Sequence, residues 1–81
     1  MRVKVLFFGQ IKDIVGKPEE ERELDPGTRL EDLFDRYAVQ FPKLASMRQA
    51  VVLARNQEFA GRGTLLADGD EVAFLPPVSG G

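Results

Sequence analysis

The segment TRLEDLFDRYAVQFP, residues 28–42, sets the terms for the rest of the chain. Leu30, Leu33, Phe34, Tyr37, Ala38 and Phe41 recur at helical spacing and form one apolar stripe. Thr28 and Glu31 stand three apart ahead of it, the spacing of a capping box in which each side chain satisfies the other's free backbone N–H. Pro42 stops the helix, because proline disfavours helical backbone in the residue before it. A stripe on one face must be buried against something. No second helix of comparable length is written in the sequence, so the facing surface must be a sheet.

The chain has 81 residues and no cysteine. A domain of this size buries only about 60–65% of its unfolded surface, and no disulfide supplements the core. One sheet with one or two helices is the largest architecture it can support.

The strands follow from alternation. In RVKVLFF, residues 2–8, Val3, Val5 and Phe7 face one way and Arg2, Lys4, Leu6 and Phe8 the other. Its far end is apolar on both faces, which places it inside the sheet. GQIKDIVG then has room for a short helical turn carrying Ile11, Ile14 and Val15. Within KPEEERELDPG a polar edge strand is predicted around residues 20–24, ended by the turn Asp25-Pro26-Gly27. Its acidic run reads as a solvated strand that resists edge pairing, or as a site for a basic partner.

KLASMRQA, residues 43–50, reads as a connector with a short helical turn, and AVVLA, residues 50–54, as a strand. Residues 55–58 make a turn, and Phe59 opens a short return strand. Gly61 and Gly63 lack the third glycine and following helix of a nucleotide fingerprint; they read as turn glycines with positive φ. Asp68-Gly69-Asp70 is a tight turn, and a calcium loop over Asp68, Asp70 and Glu71 fails on ligand spacing. EVAFL, residues 71–75, is the last strand.

One amphipathic helix against a mixed sheet is an α+β roll. The β-grasp of ubiquitin-like proteins has this order and size. The domain is expected over residues 1–75, with an extended diglycine tail over 76–81.

Net charge is −2 with both signs mixed along the chain, which argues against nucleic acid as a partner. No apolar stretch approaches the roughly 20 residues that span a membrane. The start, MRVKVLFFGQ, is unlike a signal peptide, so the cytoplasm is the expected location. The lack of cysteine fits a reducing compartment. Histidine is absent too, so the usual nucleophile–base pairs and most zinc sites are unavailable. No metal site is expected, and no catalytic side chains on the body.

The tail is the chemical feature. Pro76 and Pro77 cannot donate to a ladder, so the strand must stop there. Val78, Ser79, Gly80 and Gly81 follow, and glycines pass through channels too narrow for other residues. The α-carboxylate of Gly81 would sit unhindered on this stalk. Attack by its oxygen on the α-phosphorus of ATP would give an acyl-adenylate, open to a sulfur donor, an amine or a thiol. Each step needs another protein's active site.

KVLFFGQIKDIVG at 4–16 and DGDEVAFLPPVSGG at 68–81 resemble the small, sulfur-carrying subunits of molybdopterin synthase, with the helix between them in the family's place. The resemblance covers essentially the whole chain; serine at 79, where the family has threonine, is a slight departure. It implies a β-grasp whose first and last strands are parallel neighbours. It implies that an E1-like enzyme adenylates Gly81 with ATP, and that a sulfur donor converts it to a thiocarboxylate. The tail then enters the large catalytic subunit, in a heterotetramer, and delivers sulfur to precursor Z to build the molybdopterin dithiolene. No cofactor is held permanently, and the protein is the sulfur-donating part of a heteromeric sulfurtransferase. Alternatives are a carrier for thiamine thiazole synthesis, tRNA thiolation or protein conjugation, and a β-grasp binding module with an inert tail.

Parallel neighbours end at the same sheet edge, so Phe7 and Phe8 should approach Phe74 and Leu75 where the tail leaves. One helix covers one face of the sheet. An apolar patch among these four is therefore expected at the tail base, docking the activating enzyme and the large subunit.

Overall fold

The computed structural model describes residues 1–77. The chain runs β1 (Arg2–Phe7), α1 (Gly9–Val15), β2 (Glu19–Glu23), α2 (Leu30–Gln40), α3 (Pro42–Ala45), β3 (Val52–Arg55), β4 (Glu58–Phe59) and β5 (Glu71–Leu75). The strands form one mixed sheet in the order β2-β1-β5-β3-β4. β1 and β5 are parallel, with Val5 opposite Val72 and Phe7 opposite Phe74; the other pairings are antiparallel. This is the expected α+β roll of the β-grasp type.

α2 buries the stripe read from the sequence: Leu30, Leu33, Phe34, Tyr37 and Ala38 are all inside. Phe41 caps the helix, its N–H donating to the Tyr37 carbonyl at 2.8 Å, and Pro42 then opens the single turn of α3. The helix starts one residue later than expected. Arg29 is the N-cap, and the Asp32 carboxylate accepts its backbone N–H at 2.9 Å. The Arg29 guanidinium has no acceptor to return that bond. The orphan N–H groups of Leu30 and Glu31 donate instead to the carbonyls of Thr64 and Arg62, each at 2.9 Å. The Thr28 hydroxyl donates to the Asp25 carbonyl in the preceding turn.

Other local expectations shift. α1 has two turns rather than one, β2 lies one residue earlier, and β3 begins only at Val52. Gly61 and Gly63 do not have positive φ. The turn read over residues 55–58 does form, joining β3 to β4, with left-handed backbone at Asn56 (φ 52°) and Gln57 (φ 69°). A two-residue loop between β3 and β4 needs that geometry at both residues, whatever their side chains. Gly69 does turn with φ 87°, as Asp68-Gly69-Asp70 implied.

The sheet has two unlike faces. Val3, Val5, Phe7, Leu53, Val72 and Phe74 point to α2 and are buried. Phe7, Phe34, Tyr37 and Phe74 meet edge to face, with ring centroids 5.1–6.0 Å apart, the geometry that aligns ring edges with neighbouring π faces. Among the described residues no helix lies over the opposite face. Phe8 and Phe59 are exposed there, to 44% and 84%. Phe74→Ala should therefore lower the unfolding free energy by about 3–5 kcal/mol, and Phe8→Ala by no more than about 1 kcal/mol, in urea melts.

One polar group is tied into the core margin. The Tyr37 hydroxyl donates to Glu20 at 2.5 Å, and the Arg22 guanidinium lies 4.9 Å from the Tyr37 ring centre. Burial, then the bond to Glu20, pushes the Tyr37 hydroxyl well above the usual phenol range. The Tyr37 bond, aided by Lys17 and Arg22, holds the Glu20 carboxyl below its ordinary value against a smaller opposing effect of burial. A lowered carboxyl pKa stabilises the fold above the unfolded value of 4.5, and the gain is lost as pH falls through the folded value. Glu20→Gln should be less stable than the parent at pH 7, by about 1 kcal/mol, with the difference vanishing in acid melts.

Candidate functional site

The parallel pairing brings the carboxyl ends of β1 and β5 to one edge. The Phe8 N–H donates to the Phe74 carbonyl at 3.3 Å, extending the ladder one residue past β1. Gly9 then turns out of the strand with φ 53°, and α1 begins. The Phe8 carbonyl accepts the N–H groups of Ile11 and Lys12 at 3.1 and 3.3 Å. Across from this turn β5 ends at Leu75, and half-buried Pro76 lies against Gly9. Pro77 is exposed.

On the uncovered face, Leu6, Phe8, Ala54, Phe59, Ala73 and Leu75 surround a hollow of about 370 Å3, with Gln57 and Glu71 at its margin. Period-two alternation explains the set: Leu6 pairs with Ala73, Ala54 with Ala73 and Phe59, and Val52 with Leu75. Small side chains at Ala54 and Ala73 make the floor, and the large ones at Phe8, Phe59 and Leu75 stand around it. An apolar surface of this kind beside a chain exit is suited to holding a partner.

The acidic strand flanks this face. Glu19 pairs with Lys4 at 3.1 Å, and Arg2 reaches Glu21 and Glu23 at 3.6 and 3.0 Å. The hydrogen bond and charge of Glu19 raise the Lys4 pKa. The carboxylates thus have cations from the chain itself, across a register that sets Arg2 opposite Glu23 and Lys4 opposite Glu21. A solvated, charged edge that resists strand addition accounts for them.

The residues expected to dock a partner divide between the faces. Phe8 and Leu75 line the open hollow. Phe7 and Phe74, at 2% and 0% exposure, are core residues with no surface to offer, which corrects the expectation for these two. The reason is the strand period: residues one apart point to opposite faces. Val78, Ser79, Gly80 and Gly81 lie outside the described residues. The patch is also wider than expected, since Ala54, Phe59 and Ala73 belong to it. Strand pairing alone brings them there, and only the isolated Phe59 in a polar stretch hinted at it.

Asp68 and Asp70 are committed to the turn. Asp68 accepts the Arg2 N–H at 2.7 Å, and Asp70 accepts from the Ala67 N–H at 2.8 Å and the Asn56 amide at 3.0 Å. Among the described residues no group of three or more His, Cys, Asp or Glu is placed to hold a metal, and no helix is long and apolar enough to cross a membrane.

The ThiS family pattern matches residues 5–81. The molybdopterin synthase sulfur carrier subunit of Mycobacterium tuberculosis is 42% identical over 82 residues, covering 100% of this chain and 99% of that protein. Among solved structures, SAMP1 from Haloferax volcanii has a TM-score of 0.82 at 26% identity, covering all of both chains. A chain in the complex of subunits 1 and 2 of the molybdopterin-converting factor from Helicobacter pylori 26695 has a TM-score of 0.69 at 29% identity, again over all of both chains. With its β-grasp topology and a family match running from β1 through the last residue, the chain belongs to the ThiS family, alongside the molybdopterin synthase sulfur carrier subunits.

Proposed function

We propose that the protein is the sulfur-carrying small subunit of a molybdopterin synthase and works in the cytoplasm. The observation that carries this reading is the placement of the chain exit at Pro76 beside an exposed apolar hollow. A partner gripping Phe8 and Leu75 holds the root of the tail at a known point on its own surface.

The chemistry belongs to the end of the tail. An oxygen of the Gly81 carboxylate attacks the α-phosphorus of ATP in an E1-like enzyme and pyrophosphate leaves. Sulfide supplied by a sulfur donor then attacks the acyl carbon and AMP leaves, giving a thiocarboxylate with no change of oxidation state. That sulfur attacks an electrophilic carbon of precursor Z, the carbon–oxygen bond there breaks with its oxygen leaving as water or on the phosphate, and a second water cleaves the acyl–sulfur bond. The carboxylate is regenerated and the sulfur stays on the pterin. Two such transfers complete the dithiolene. Acid–base groups come from the large subunit, in an assembly of two small and two large chains; the Helicobacter pylori complex of subunits 1 and 2 supports such a partnership.

The likeness to SAMP1 favours one second reading, a carrier whose activated end serves another acceptor. Incubation with activating enzyme, ATP and a sulfur source should add the mass difference between sulfur and oxygen at the C-terminus. The product should then make molybdopterin from precursor Z with purified large subunit. Thiocarboxylate formation without molybdopterin synthesis points to the second reading. No mass change with a competent enzyme rejects both.

Two further outcomes are expected. Phe8→Ala and Leu75→Ala should each weaken binding of the large subunit by about 5- to 30-fold in calorimetry, the usual cost of truncating a central apolar anchor. Unchanged affinity in both would remove the docking role. One bulky residue added after Gly81 should abolish molybdopterin formation; full activity with that residue still attached would disprove terminal chemistry.

A further inference from the structure

We propose that Gly9 is a positioning residue for the tail: its bare α-carbon is the seat of Pro76, and this contact sets the direction in which the tail leaves the body. The inference rests on the sulfur-carrier reading.

A Cβ added at Gly9 would lie 2.8 Å from Pro76 Cγ, 3.5 Å from Cδ and 3.9 Å from Cβ. Real side chains do not approach to 2.8 Å, so something would have to move. The proline ring is bonded to its own backbone at both ends and cannot swing aside as a long side chain does. The displacement would pass to the backbone of residue 76, at the root of the tail.

Gly16, Gly27 and Gly69 also have positive φ, yet a Cβ at any of them meets nothing within 4 Å. Those positions need glycine for the turn alone. Gly9 needs it twice, for φ 53° and for the close approach of Pro76.

Register explains the meeting. Phe7 stands opposite Phe74, and the Phe8 N–H bonds the Phe74 carbonyl. Two residues further along each parallel strand come Gly9 and Pro76. There the first strand bends away into α1 while the last keeps going and packs over the bend. Phe8 and Leu75, adjacent to this pair, line the hollow that a partner would grip. The seat therefore relates the exit direction of the tail to the docking residues. A partner binding both must find them at the right angle, and an arm of several residues magnifies an error at its root.

The test is a double-variant cycle of Gly9→Ala and Pro76→Ala, with Gly9→Asn added because asparagine tolerates positive φ better while keeping the Cβ. Sulfur transfer is read as kcat at saturating large subunit, binding by calorimetry, and stability by thermal melts. Gly9→Ala and Gly9→Asn should each lower kcat by about tenfold or more, as expected when reacting groups are misplaced, with affinity changed less than about threefold. Pro76→Ala removes Cγ and Cδ. Alone it should lower kcat, because the seat is empty; in either Gly9 background it should relieve the clash and bring kcat to the level of Pro76→Ala alone, without recovering melting temperature, because backbone strain at Gly9 persists. Additive losses in kcat, or loss tracking melting temperature alone, would overturn the proposal. NMR cross-peaks between the Gly9 Hα atoms and the Pro76 ring protons are expected in the parent protein and need no enzyme. Their absence would overturn the seat whatever the kinetics. A parent protein that gains no sulfur, with the cross-peaks present, instead rejects the carrier reading.

Discussion

The parallel pairing of β1 with β5 is the contact on which the rest of the molecule depends. It joins segments from opposite ends of the chain and lies inside the sheet, flanked by β2 on one side and β3 on the other. Its hydrogen bonds set Phe7 against Phe74 in the core. They also carry two chain exits, the start of α1 and the root of the tail, to one edge. A slip of one residue would turn Phe74 outward and put Leu75 in the core, because side chains alternate with period two.

Around that pair the two faces of the sheet take different tasks. α2 covers one of them, and its stripe meets Phe7 and Phe74 through Phe34 and Tyr37. The polar margin of this core is closed by the Tyr37–Glu20 bond, backed by Lys17 and Arg22. Among the described residues there is no second long helix for the other face. That face is polar and charge-paired along β2 and becomes apolar towards β5 and β3. Its large exposed side chains contribute little to folding, so their cost in exposed apolar surface is best explained by a partner.

Much of this was legible in the residues. The stripe of α2, the alternation in β1, the edge character of β2 and the turns at Gly27 and Gly69 are all short-range patterns set by the 3.6 and 2.0 periods and by turn chemistry. Errors came where a neighbour distant in sequence intervened. Thr28 and Glu31 had capping-box spacing, yet carbonyls of Thr64 and Arg62 reached the helix start first. The turn read over residues 55–58 did form, but its left-handed geometry lies at Asn56 and Gln57, while the glycines of AGRGT, read as left-handed, have no positive φ.

The sequence by itself determined the element order, the apolar stripe that demands a sheet, and the two prolines and two glycines of the C-terminal segment, on which the proposed terminal chemistry rests. These depend on residue type and on spacing along one segment. Only the tertiary structure decided which phenylalanines are core and which are surface. It alone assembled Ala54, Phe59 and Ala73 into one hollow with Phe8 and Leu75, and set Pro76 over Gly9. Each of those facts depends on register between strands far apart in the chain. Register is chosen by which faces can be buried together, a property that no single segment holds.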